Sequence, residues 1–184
     1  STLQPSLPTT PTRALILGGA SLGGMIASEL ASILKPDALI LMGTATHPSQ
    51  VDAKARSLAR TSRLLPLAFI DGMRSLAPSV VRSLGPMTPM QKRALLEMTH
   101  AVPASFLAWA ARAIIEWEGV GESYRTHAKV AIRLHGTHDK IIPPPKDGID
   151  LLIPRAGHVP NFTAADEVNQ AIARTIKEAA RRLS

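Results

Sequence analysis

The chain has 184 residues, 45% hydrophobic and 3% aromatic, with a formal net charge of +7 and no cysteine. That length suits one domain with a sizeable core and room for an insertion. Disulfides, thiol catalysis and cysteine metal sites are excluded, and no run approaches the roughly 18–20 apolar residues of a membrane span. The basic residues, among them Arg56, Arg60, Lys92, Arg93, Lys177 and Arg181, are spread as on solvated helix faces. With a single tyrosine beside them, they offer no stacking platform for nucleic acid. No signal-peptide pattern is visible, and the chain reads as cytoplasmic.

Residues 1–12 are rich in Pro, Thr and Ser and read as an irregular lead-in. Residues 13–17 read as a buried strand. From Leu22, the apolar positions Met25, Ile26, Leu30, Ile33 and Leu34 fall at helical spacing, and Pro36 ends that helix. Ala38 to Met42 is a second continuous apolar run. Two such strands around one helix make a βαβ unit, so the strands should be parallel. Continuous rather than alternating apolarity says that both faces of the sheet are covered.

Residues 48–120 lack strand-like runs. Thr88-Pro89 with Gln91 resembles a helix start, and helical periodicity runs through 90–99 and 104–117. This stretch reads as a helical cap inserted into a core made of 13–47 and 121–184. Phe106, Trp109 and Trp117 read as packing residues on its apolar stripe. Residues 128–134 predict a third strand, 150–153 a short fourth one, and 164–183 a long amphipathic helix through Val168, Ile172 and Ile176. The fold class is α/β: a parallel sheet with flanking helices and an inserted helical cap.

Gly19-Ala20-Ser21-Leu22-Gly23 matches G-x-S-x-G, and it stands between a predicted strand and a predicted helix. The glycines let the backbone turn sharply beside the serine without a Cβ clash. The helix N-terminus offers free N–H groups to a developing oxyanion. A nucleophilic serine also needs a base and an orienting acid. His135-Gly136-Thr137-His138-Asp139 leaves the third strand, and Ala156-Gly157-His158 lies in the loop before the last helix. Asp139 would hold the His158 ring in the useful tautomer, and His158 would take the Ser21 proton. Each element alone is weak, because an Asp after a strand is commonly a turn residue. In order, each at a strand's carboxyl end, they reinforce one another.

Other readings of these residues fit less well. The glycine-rich turn is one residue from a dinucleotide fingerprint, but the second strand ends Met42-Gly43-Thr44 with no acid for a ribose, and Asp37 lies at its wrong end. A P-loop fails because Gly24-Met25 follows Gly23 where Lys and Ser/Thr are needed. His135, His138 and Asp139 match no zinc spacing, so no metal and no cofactor is expected. His135 and His138 read as structural or capping residues, with His138 kept as a rival to His158 for the base. His47 reads as a loop residue, and His100 and His127 carry no signal.

At Gly19 to Met25, His135 to Lys140 and Ala156 to His158 the chain resembles the α/β-hydrolase superfamily, from about residue 13 to the C-terminus. Met87-Thr88-Pro89 and Phe106 to Ala110 are similar to the helical cap of small bacterial members. The resemblance implies Ser21 as nucleophile, Asp139 as acid, His158 as base and the backbone N–H of Leu22 as one oxyanion-hole donor. It also implies hydrolysis of a small carboxylic ester through a Ser21 acyl-enzyme. One departure stands out. Family members carry strands before the elbow strand, and a loop there supplies the second oxyanion donor; only a short stretch precedes the elbow here, as in a truncated or minimal member. The elbow strand 13–17 should then lie at a sheet edge, which invites pairing. A missing upstream segment, the tail 1–12 folded back, or a homodimer would each cover it. Two further functions stay open: a non-catalytic binding or assembly module with an incomplete oxyanion hole, and an acyltransferase using the same triad.

Overall fold

In the computed structural model, which describes residues 13–62 and 71–183, four strands form one sheet in the order β1-β2-β3-β4. They are β1 (Ile16–Ala20), β2 (Ala38–Met42), β3 (Val130–Gly136) and β4 (Leu151–Ile153), and every pairing is parallel. Helix α1 (Leu22–Leu34) joins β1 to β2, completing the expected βαβ unit. Lys35, in the left-handed region, closes α1 by donating its N–H to the Ala31 carbonyl, and Pro36 follows it. Between β2 and β3 come α2 (Ala53–Ser62), α3 (Ala77–Ser83), α4 (Pro89–Ala101) and α5 (Ala104–Glu116). After β4 come the short α6 (Pro160–Thr163) and the long α7 (Ala165–Arg181). The expected lead-in 1–12 lies outside the described residues, as does 63–70 within the stretch read as a cap.

The continuous apolarity of β2 has a direct cause. Successive side chains on a strand point to opposite faces. Leu39 and Leu41 pack with Ala27 and Ala31 of α1 and with Tyr124. Ile40 and Met42 meet Leu134 and, from α7, Ala171 and Ile172. Both faces of β2 are therefore covered. The edge strand β1 is covered less well than its apolarity implies: Leu15 is 44% and Ile16 40% exposed, and Ile33 on the neighbouring helix is 75% exposed.

Two strand boundaries differ from expectation. The first strand is Ile16–Ala20 and not 13–17, because Gly18 and Gly19 pair with Ile40 and Leu41. Those glycines read as a turn, yet a Cβ on Gly18 would stand 3.0 Å from the Ile40 carbonyl oxygen, so the close pairing suits glycine. The third strand runs to Gly136, past the polar Arg133 and His135, because pairing with β4 holds His135 and Gly136 in register with Leu152 and Ile153.

The segment before β3 is helical, as its periodicity predicts. Helix α4 opens with a capping box, in which Thr88 accepts from the Gln91 N–H while the Gln91 side chain accepts from the Thr88 N–H. The Gln91 amide also donates to the Phe162 carbonyl (2.8 Å), tying α4 to α6. The expected packing role holds for only one of the three aromatics. Trp117 packs with Met25, Val51 and Ile142 and donates its Nε1–H to Glu29 (2.6 Å). Phe106 and Trp109 meet at a tilt of 42° with centroids 5.4 Å apart but are 47% and 50% exposed. Among the described residues, α5 packs chiefly on α2, with Ile114 and Trp117 reaching Met25, Val51 and Ile142, and this leaves Phe106 and Trp109 half exposed. Among the same residues, no helix is long and apolar enough to cross a membrane.

The buried face of β2 should dominate stability. Leu41→Ala is expected to lower the unfolding free energy by about 2–5 kcal/mol, and Ile33→Ala to change it by less than about 0.5 kcal/mol. Urea denaturation of the two variants measures the contrast.

Candidate active site

Ser21 sits where β1 turns into α1, and its backbone is strained there, with φ 51° and ψ −123°. A non-glycine residue at positive φ costs on the order of 1–3 kcal/mol and persists only when its surroundings hold it. They do so here from both sides of the peptide. The Ser21 N–H donates to the Met42 carbonyl (3.0 Å). The Ser21 carbonyl accepts from the N–H groups of Gly24 (2.9 Å) and Met25 (3.2 Å) and from the buried Thr44 hydroxyl (2.6 Å). A Cβ on Gly19 would collide with the Gly23 carbonyl, and one on Gly24 would stand 2.7 Å from Thr44 Cβ. Gly23, the last glycine of the pattern, would meet nothing within 4 Å. The steric demand expected at Gly23 thus belongs to Gly24. Leu22 is the first residue of α1, so its N–H has no carbonyl partner within the helix.

Asp139 and His158 reach Ser21 from two loops beyond the carboxyl ends of β3 and β4. His158 Nε2 lies 2.9 Å from Ser21 Oγ, and His158 Nδ1 lies 2.9 Å from Asp139 Oδ2. A carboxylate only accepts, so Nδ1 carries the ring proton and Nε2 is left to accept from the Ser21 hydroxyl. The Asp139 carboxylate is itself fully engaged. Its Oδ1 accepts from the N–H groups of Ile141 and Ile142, both at 2.9 Å. Its Oδ2 also lies 3.1 Å from Nε2 of the buried His135, which donates mainly to the Ile142 carbonyl at 2.6 Å. Burial pushes the Asp139 carboxyl up, but the hydrogen bonds from His135 and His158, the attraction of His158 and the Ile142 N–H outweigh it. The group is held below the usual carboxylate range.

The loops that carry these groups are pressed together. Gly157 lies so close to the Leu84 carbonyl that a Cβ would overlap it, and that carbonyl accepts the His158 N–H at 2.7 Å. The His138 N–H donates to the Ala156 carbonyl (2.9 Å), joining the Asp139 loop to the His158 loop. Beneath Ser21, the fully buried Arg133 donates through Nη2 to the Thr44 carbonyl (2.8 Å) and to Gln50 (2.9 Å). Burial pulls its pKa down, opposed in part by Tyr124 and Glu122.

The residues expected to act together are therefore brought together. The rivals are not. His138 is exposed, with Nδ1 3.0 Å from the Thr137 hydroxyl. His47 accepts from the Ser49 N–H and caps a short turn. No cluster of three or more potential metal ligands is found among the described residues. His135, read as structural, does stand behind Asp139; two supports were missed from sequence, Thr44 behind Ser21 and the Leu84 carbonyl behind His158. Neither of these two carried a local signal.

Two outcomes follow. Gly19→Ala should cost about 3 kcal/mol or more, because backbone atoms occupy the space, whereas Gly23→Ala should shift stability by less than about 1 kcal/mol, upward; thermal unfolding measures both. The lowered Asp139 pKa means that the folded state holds fewer protons than the unfolded one between that value and the ordinary carboxylate value. Its stabilisation is complete above about pH 4 and is lost as pH falls toward the lowered folded value. Asp139→Asn should therefore flatten the acid side of the stability profile, read by urea unfolding from neutral pH downward.

The alpha/beta hydrolase family model matches residues 2–171. No curated protein is a significant match to the sequence. Among solved structures, the chain is similar to a thermophilic esterase from Thermogutta terrifontis, with 22% identity and a TM-score of 0.71, covering 89% of this chain and 65% of that one. It is also similar to an esterase from Exiguobacterium antarcticum (14%, TM-score 0.69, 87% and 65%) and to a protein described as a putative aryl esterase from Burkholderia cenocepacia (18%, TM-score 0.65, 90% and 65%). The chain thus spans just under two thirds of the length of these structures, and at such identities the likeness carries the fold alone. The family match over most of the sequence and the parallel sheet with flanking helices agree: the chain belongs to the alpha/beta hydrolase family.

Proposed function

We propose that this protein is a serine hydrolase acting on a small carboxylic ester. The observation that supports it is the unbroken line from Ser21 Oγ through His158 to Asp139, with 2.9 Å at both steps. In this reading Ser21 Oγ attacks the ester carbonyl carbon while His158 Nε2 takes the hydroxyl proton. Asp139, kept ionised by its four hydrogen-bond contacts, stabilises the imidazolium. The carbonyl oxygen, now negative, faces the Leu22 N–H at the α1 N-terminus. Collapse of the tetrahedral intermediate expels the alcohol, which receives the proton from His158. Water then attacks the Ser21 acyl-enzyme, with His158 again as base, and the carboxylic acid leaves. Residues 48–120 act as a cap. A hollow of about 100 Å³ between α1 and α5, lined by Leu22, Ile26, Trp109, Ile114 and Trp117, suits a short apolar group of the substrate. The exposed strip of Leu15, Ile16 and Ile33 supports the further reading that this edge is covered by a second copy or by additional chain.

A second reading is a hydrolase-like binding or assembly module. Leu22 is the sole oxyanion donor identified among the described residues, and losing one such donor typically lowers kcat by about 10²–10³-fold. A fluorophosphonate probe separates the two. Wild-type protein should be labelled, and Ser21→Ala should not. Asp139→Asn should reduce ester hydrolysis by about 10⁴-fold, because the ring then loses its favoured tautomer. Folded wild-type protein that resists labelling would favour the module. Ester products formed in the presence of added alcohols would mark an acyltransferase.

A further inference from the structure

A second cavity, of about 330 Å³, opens beside the candidate triad and is lined by Arg82, Ser83, Gly85, Lys92, His138 and Lys140. Its cations come from three separate places: Arg82 from α3, Lys92 from α4 and Lys140 from the loop after β3, which also brings the polar His138. Among the described residues, no carboxylate lines it. Several cations elsewhere on the described surface pair with acids: Arg93 with Glu97, Arg112 with Glu116, Arg125 with Asp150 and Lys129 with Asp37. Among the described residues, no such partner meets Arg82, Lys92 or Lys140. Converging like charges repel, and a bound anion relieves that repulsion while gaining charge-assisted hydrogen bonds. Arg82 and Lys92 also line a second hollow of about 160 Å³ together with Pro78, Val81 and Leu96. A cationic mouth thus continues into an apolar recess.

We infer that this cavity binds a small molecule bearing a carboxylate or phosphate group and an apolar body, the anion held by Arg82, Lys92 and Lys140 and the body resting on Val81 and Leu96. The cavity is joined to the candidate site through backbone. Gly85 lies against Gly157, next to His158, and His138 and Lys140 flank Asp139 in the chain. The anion therefore comes either from the substrate itself or from a separate effector, and the same chemistry recognises both. The binding step does not depend on the Ser21 reaction.

Calorimetric titration of the full chain with sodium hexanoate, hexyl phosphate and neutral hexanol tests the site. Both anions should bind and hexanol should not. Binding should weaken as salt rises from about 0.05 to about 0.5 M, and by about tenfold or more in the double variant Arg82→Gln/Lys92→Gln. The salt series on wild-type protein keeps the test decisive if that variant misfolds. Ser21→Ala should bind like wild type, so loss of hydrolysis leaves this result standing. Two ester substrates then separate the sources of the anion. A preference for p-nitrophenyl hemisuccinate over p-nitrophenyl butyrate, abolished in the double variant, marks a substrate subsite. Anion binding without that preference marks an effector site. Absence of anion binding, equal binding of hexanol, or unchanged affinity in a folded double variant overturns the inference.

Discussion

The peptide unit of Ser21 is held in a conformation that the residue would not adopt alone, and the rest of the site is arranged around it. Its N–H is anchored to Met42 at the end of β2, and its carbonyl collects three donors, one of them the Thr44 hydroxyl. Both anchors lie on or just after β2, a strand buried on both faces. The strain is thus opposed by the best-packed part of the sheet. Arg133 extends the support one layer further by holding the Thr44 carbonyl from β3. A buried guanidinium carries a large desolvation penalty, yet this one joins β3 to the loop that follows β2, through Thr44 and Gln50.

The electrostatics repeat this layered pattern. Asp139 would be a poor anion in its buried position without help. Four contacts supply that help, and only one of them comes from His158. The Ile141 and Ile142 N–H groups and the His135 ring fix the carboxylate before the histidine is considered. The carboxylate can then select the His158 tautomer, because it is neither free to rotate nor inclined to take the proton.

Much of this was legible in the sequence. The parallel β1-α1-β2 unit followed from two apolar runs around one helical period, and the capping box of α4 from Thr88 and Gln91. Ser21, Asp139 and His158 stood out because each lies where a strand's pattern stops, the position that brings loops together at one edge of a parallel sheet. What stayed hidden depends on contacts between distant segments. Nothing local marks Thr44 as a partner of the Ser21 carbonyl or Arg133 as a fully buried arginine. The Leu84 carbonyl has no side-chain signature at all. The exposure of Phe106 and Trp109 was equally unreadable, since periodicity reports which side of a helix is apolar and not how much of that side finds a neighbour.

The bond from the His158 N–H to the Leu84 carbonyl has an evolutionary consequence. Leu84 caps the C-terminal end of α3, in the helical stretch between β2 and β3. In the proposed reaction His158 must keep its place against Ser21. Because the two share one short backbone bond and a glycine contact too close for any side chain, substitutions that reshape the helices must leave the end of α3 where it is. Diversification of this segment is therefore expected to concentrate in α4 and α5, away from the contact it shares with the histidine loop.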